Sequence, residues 1–93
     1  MAIGALSALR ELGVAVPREI AVTGFDDIPI AQYTSPPLTS VRVPILDLGE
    51  RATELLVGQL ASQRRRRRVC EMLPTTLVVR QSCGGDVTIS LAR

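Results

Sequence analysis

Apolar and polar positions along the chain fall into four patterns, each pointing to an element. Met1, Ile3, Leu6, Leu9 and Leu12 recur near helical spacing with small residues between them, and Gly13 offers the left-handed conformation that ends a helix. An amphipathic helix over 1–12 follows. It has no capping residue ahead of it, so it reads as entered from an upstream part of a βαβ unit. Pro17 forbids its continuation, and Ile20-Ala21-Val22-Thr23-Gly24-Phe25 is short and apolar enough for a strand buried on both faces, ending in Asp26-Asp27.

After the two carboxylates, Ile28 to Tyr33 suits one or two irregular or helical turns, which Ser35-Pro36-Pro37 stops. Leu38-Thr39-Ser40-Val41-Arg42-Val43 alternates and is β-branched, predicting a second strand limited by Pro44. Pro44 fits the first turn of a helix, where Asp47 and Glu50 favour the positive end. Ile45, Leu48, Ala52, Leu55 and Leu56 then give one apolar face through about residue 62. Beyond it, Val69 to Leu73 and Leu77 to Ser82 read as strands divided by Pro74-Thr75-Thr76. Gly84-Gly85 closes the ordered part, leaving a loose tail from about 85 or 86 to 93.

Composition narrows the chemistry. Ninety-three residues allow at most one small domain with a thin core. Phe25 and Tyr33 are the only aromatics, so packing rests on aliphatic side chains. The sequence contains no His and no Lys, which removes the commonest general base, the commonest metal ligand and any phosphate-loop lysine. Cys70 and Cys83 lack metal-site spacing, and they read as reduced thiols, one or both buried. No cofactor or metal is expected. The net charge of +2 owes everything to five arginines at positions 64 to 68. That run has no interleaved aromatics and reads as a solvated loop rather than a nucleic-acid patch. No run approaches the ~20 apolar residues of a membrane span. Without an export signal, the default location is the cytoplasm.

Candidate chemistry centres on the carboxyl end of the first strand, where open α/β sheets place their ligands. A carboxylate there can accept hydrogen bonds from neighbouring hydroxyls. Adjacent carboxylates on an extended backbone point opposite ways, so only one of Asp26 and Asp27 would face a cleft, the other being structural. Both satisfying the N–H groups of a turn is the alternative.

Five stretches together resemble the C-terminal part of LacI/GalR-type bacterial transcription regulators, over residues 1 to about 84. They are Met1-Ala2-Ile3-Gly4-Ala5-Leu6, Val22-Thr23-Gly24-Phe25-Asp26-Asp27-Ile28-Pro29, Ser35-Pro36-Pro37-Leu38-Thr39-Ser40-Val41-Arg42, Leu48-Gly49, and Leu73-Pro74-Thr75-Thr76-Leu77-Val78-Val79-Arg80-Gln81-Ser82-Cys83. The last is more typical of the repressors than of exported sugar-binding proteins.

The resemblance implies an α/β fold: an incomplete Rossmann-like, type I periplasmic-binding-protein domain, with helices packed on a mainly parallel sheet. It assigns 1–43 and 75–84 to the C-terminal lobe and 44–74 to a segment of the N-terminal lobe. It implies a small-molecule effector, a sugar above all, contacted by Asp26. Phe25, Ile28 and Ile45 are further lining candidates, with core packing the favoured alternative for Phe25 and Ile45. Tyr33 and Thr34 fall in a dimer-interface region, an exposed loop being the alternative for the tyrosine. DNA would be bound only through an N-terminal helix-turn-helix outside these residues. The expected function is thus a non-enzymatic effector-binding portion of a regulator. A fragment of an exported sugar-binding protein and a small α/β enzyme with paired aspartates are the rivals. With strand edges and helix faces uncovered, these residues alone are expected to be marginally stable.

Overall fold

A computed structural model describes residues 1–62 and 68–85. The elements run in the order helix α1 (Ala2–Glu11), strand β1 (Thr23–Phe25), a 3-10 turn (Pro29–Tyr33), strand β2 (Thr39–Arg42), helix α2 (Ile45–Ala61) and strand β3 (Thr76–Val78). The fold is α/β. β1 pairs with β2 in parallel, and β2 with β3 antiparallel, in the order β1-β2-β3. The mainly parallel sheet expected from the sequence is therefore evenly mixed among these pairings, because β3 returns along β2 in the opposite sense.

Helix α1 ends as its sequence predicts. Gly13 takes φ 73°, the Val14 N–H reaches the Leu9 carbonyl at 2.9 Å, and the Gly13 N–H reaches that of Arg10 at 3.1 Å. These are the two bonds of a Schellman stop, and they satisfy carbonyls the helix would leave open. The helix turns Leu6 inward against Leu38 and Ala31, with Ala2, Ile3, Val16 and Val22 packed around them. Burying Leu6 and Leu38 contributes about 2 kcal/mol each. Gly24 permits the close approach of helix to sheet: a Cβ there would lie 3.0 Å from Leu38 Cδ2 and 3.4 Å from the Ala2 Cβ.

β1 is shorter and more open than the apolar run suggests. Ile20 and Ala21 are exposed outside it, and the Glu19 and Ile20 N–H groups turn back to the Ala15 carbonyl. Phe25 is 64% exposed, so β1 is not buried on both faces and Phe25 is not a core residue. β2 occupies the predicted stretch less its two ends.

β3 ends at Val78, short of the predicted Ser82. Beyond it the Arg80 N–H donates to Thr39 Oγ1 at 2.8 Å instead of a strand carbonyl, and residues 81–84 form a turn. That turn fastens the body. The fully buried Ser82 accepts from the Thr39 N–H (2.8 Å) and donates to the Val22 carbonyl (2.5 Å) through its hydroxyl. Its own N–H donates to the Pro37 carbonyl at 3.0 Å, and its carbonyl accepts from the Val22 N–H at 2.9 Å. Four hydrogen bonds offset the cost of burying one small polar residue.

Helix α2 starts at Ile45, Pro44 standing at the N-cap rather than inside the first turn, and it has no buried residue. Ile45 is exposed and not in a core. No strand forms over Val69–Leu73. These residues take part in no ladder, and Glu71 is held instead by Arg51 of α2, with Nε at 2.6 Å and Nη2 at 2.5 Å from its two carboxylate oxygens. Both cysteines are free thiols, but neither is buried: Cys70 is exposed and Cys83 half-buried. Of the arginine run only Arg68 is described, and it is exposed. The remainder of the run, and the tail over 86–93, lie outside the described residues. Among the described residues no helix is long and apolar enough to cross a membrane.

Candidate binding site at the end of strand β1

The chain leaves β1 through two consecutive left-handed residues, Asp26 at φ 81° and Asp27 at φ 45°. Aspartate tolerates this region better than most side chains, at a cost of about 1 kcal/mol each. The sharp reversal sends the two carboxylates to different places, though not because the backbone is extended, as the sequence suggested.

Asp27 is the inward one, with 3% of its side chain exposed. Its Oδ1 accepts from Arg80 Nη1 at 2.7 Å, its Oδ2 from Arg42 Nε at 2.8 Å, and its N–H donates to Ser40 Oγ at 2.9 Å. Burial pushes its carboxyl up, but hydrogen bonds from Arg80 and Arg42 and their two charges outweigh it and hold the group below its ordinary value of 3.8. Arg80 Nη1 also donates to the Leu38 carbonyl at 2.7 Å.

Asp26 is exposed, and among the described residues it has no hydrogen-bond or ion-pair partner. It borders an open cavity of about 690 Å³ whose walls include Ala2, Ile3, Gly24, Phe25 and Ile28. The cavity thus joins an apolar floor, an aromatic ring and an unspent carboxylate, the composition of a small-molecule site. Asp26, Phe25 and Ile28 are brought together there. Ile45 is not: it opens α2 and does not border this cavity. Tyr33 is exposed at the end of the 3-10 turn. The Thr34 hydroxyl lies 2.9 Å from the Pro36 carbonyl and 3.1 Å from that of Ala31, an internal use that holds the proline-rich bend.

Ser40, Arg42 and Arg80 support the site without having been singled out from sequence. Arg80 stands 53 positions from Asp27, and no local pattern marks so distant a partner. The available signal was that a buried carboxylate needs a hydrogen-bonding or charged partner, and arginine is the only cationic side chain in the sequence.

Comparison with known proteins agrees with this fold. The periplasmic binding protein-like domain model matches residues 1–83. The HTH-type transcriptional repressor MelR of Bacillus subtilis is 46% identical over 84 residues, which are 90% of this chain and 24% of that protein. The lactose operon repressor of Rhizobium radiobacter is 43% identical over 82 residues, 88% of this chain and 71% of that protein. Among solved structures, a complex of the transcriptional regulator CelR with cellobiose superposes with a TM-score of 0.80 at 37% identity, over 87% of this chain and 24% of that one. The chain spans about a quarter of the length of MelR and of CelR. The architecture and these relatives agree: the chain belongs to the periplasmic binding protein-like family, in its LacI/GalR-type transcriptional regulator branch.

Proposed function

We propose that this chain forms one wall of the effector cleft of a LacI/GalR-type regulator and that Asp26 is its effector-contacting carboxylate. The observation that carries the reading is the division between the two aspartates. Asp27 spends both oxygens on arginines, whereas Asp26 has no partner among the described residues and stands at the rim of the cavity. A carboxylate with two free oxygens suits a ligand rich in adjacent hydroxyls, and the CelR relative is a cellobiose complex, so a sugar is the effector class. Phe25 supplies an apolar surface for a sugar face, and Ile28 a side wall.

Asp26 would act by binding alone, and with relatives named as repressors and regulators the module is not an enzyme. In the whole regulator, an effector held more tightly in one arrangement of the lobes shifts the population toward it and thereby changes DNA affinity. Tyr33 and Thr34 lie on the surface through which two such domains would pair in the cytoplasm, and Ile45 would meet the cleft only from the opposite lobe.

The test is a heteronuclear NMR titration of the chain with mono- and disaccharides, cellobiose first. Amide shifts should concentrate at Gly24 to Ile28. Asp26→Asn should weaken binding at least tenfold, since charged hydrogen bonds contribute about 1.5–3 kcal/mol. Sugar-induced shifts that avoid this segment, or an unchanged affinity in Asp26→Asn, would overturn the assignment.

A further inference from the structure

Asp27 sits where three parts of the chain meet. Its own turn follows β1. Arg42 is the last residue of β2, three positions before α2 opens at Ile45, and Arg80 lies two positions after β3 closes at Val78. Helix α2 follows Arg42 and precedes β3, so it lies on an excursion that leaves the sheet beside Arg42 and re-enters it before Arg80. One buried carboxylate therefore closes the base of that excursion, Arg42 on Oδ2 and Arg80 on Oδ1, while the Asp27 N–H is fixed to Ser40 Oγ.

The geometry points to Asp27 as a positioning residue that locks the Asp26 turn to the two ends of the α2 excursion, so that a ligand on Asp26 and the setting of α2 bias each other. The inference rests on the reading of Asp26 as the ligand contact. Two features support it. The turn is left-handed at both aspartates and needs bonds from outside itself to persist. Arg80 in addition grips the Leu38 carbonyl, directly before β2, so movement at the re-entry point is felt at the strand that leads out. Coupling is reciprocal by linkage: what ligand binding does to the excursion, displacement of the excursion does to ligand binding.

The test uses hydrogen exchange and sugar titration of the full 93-residue chain by NMR. Three amides report the three parts: Asp27 (bonded to Ser40 Oγ), Ile45 (to the Val43 carbonyl, 2.8 Å) and Arg80 (to Thr39 Oγ1). Arg42 is largely exposed, so Arg42→Gln breaks one arm with little risk to folding, and the Val22 amide, bonded to Ser82, verifies that the body is intact. Arg42→Gln is expected to raise exchange at least tenfold at Asp27 and Ile45 together. It should also weaken cellobiose binding about fivefold although Arg42 does not border the cavity, and Arg42→Lys, which keeps one cationic donor, should restore both. Asp27→Asn should extend the effect to Arg80. Exchange confined to the Asp27 amide, or faster exchange with unaltered sugar affinity, would overturn the inference. Absence of sugar binding in the unmutated chain would instead overturn the reading of Asp26, and Asp26→Asn, which leaves the three amides unaffected, separates the two failures.

Discussion

The sheet body and helix α2 contain similar aliphatic residues and use them in opposite ways. In the body, Leu6, Ala31, Leu38 and Val78 are buried, and the polar groups among them are bonded through Ser82, Thr39 and Asp27. In α2, Ile45, Leu46, Leu56, Val57 and Leu60 stand exposed, and the described tie from the helix to the segment that follows is the ion pair of Arg51 with Glu71. The lesson is that a helical stripe records what a helix is built to meet, whereas its stability depends on whether the partner is there. α2 carries a stripe that the described residues leave uncovered.

The largest test of that contrast is a pair of truncations. Leu38→Ala removes the side chain against which both Leu6 and Gly24 pack, and should cost about 3 kcal/mol in urea unfolding, in the range for a buried leucine. Leu60→Ala removes an equal side chain that is 77% exposed and should change stability by less than about 0.5 kcal/mol. Equal losses would mean that α2 is packed in solution, through association of chains, and the loss at Leu60 would then grow with protein concentration.

A smaller effect comes from the carboxylate that joins the two regions. Asp27 is held below its ordinary value when folded, so the folded chain binds fewer protons there than the unfolded one. Its contribution is fully present above about pH 4 and fades as pH falls through the lowered folded value. Asp27→Asn should cost about 1–2 kcal/mol at pH 7, discounted because Arg42 is mostly exposed, and should flatten the acid limb of the stability curve below pH 4. An acid limb identical in the two proteins would show that another carboxylate governs it.

Much of this was legible in the sequence, and the failures share a cause. Both helices, the proline stop after the 3-10 turn and the β2 stretch follow from local spacing and from Gly13, Pro36 and Pro44, which act on their own neighbourhood. So did the placing of an exposed carboxylate, Asp26, at the end of β1. The lengths of β1 and β3, the absence of a strand at Val69–Leu73 and the exposure of Phe25 were missed. Each depends on what lies opposite: Ser82 takes the Val22 N–H, Thr39 takes that of Arg80, and among the described residues no strand pairs with Val69–Leu73. An alternating apolar run signals capacity for a strand, but a ladder requires a partner edge. That the two carboxylates of Asp26 and Asp27 point to different places was anticipated, yet through the wrong geometry. Their left-handed turn is held at Asp27 by Arg42, Arg80 and Ser40, which no short-range pattern could reveal.

The smallest effect belongs to the tie on α2 itself. Arg51 gives Glu71 two hydrogen bonds and Glu54 a third at 2.8 Å, which pushes the guanidinium up and holds the Glu71 carboxyl below its usual range. Exposed pairs contribute little to global stability because water already solvates both partners. Glu71→Gln should therefore leave the urea midpoint unchanged. Its effect should be local: the segment over 68–75 has no strand ladder, so releasing Glu71 frees it from the helix, and hydrogen exchange and proteolysis should accelerate there while the body stays protected. Raising salt to 1 M should reproduce the same local loosening in the unmutated chain, since exposed charges are screened first. If the segment stays protected in both cases, the side of α2 carrying Arg51 holds it by apolar contact, and the helix is less bare than its exposed leucines indicate.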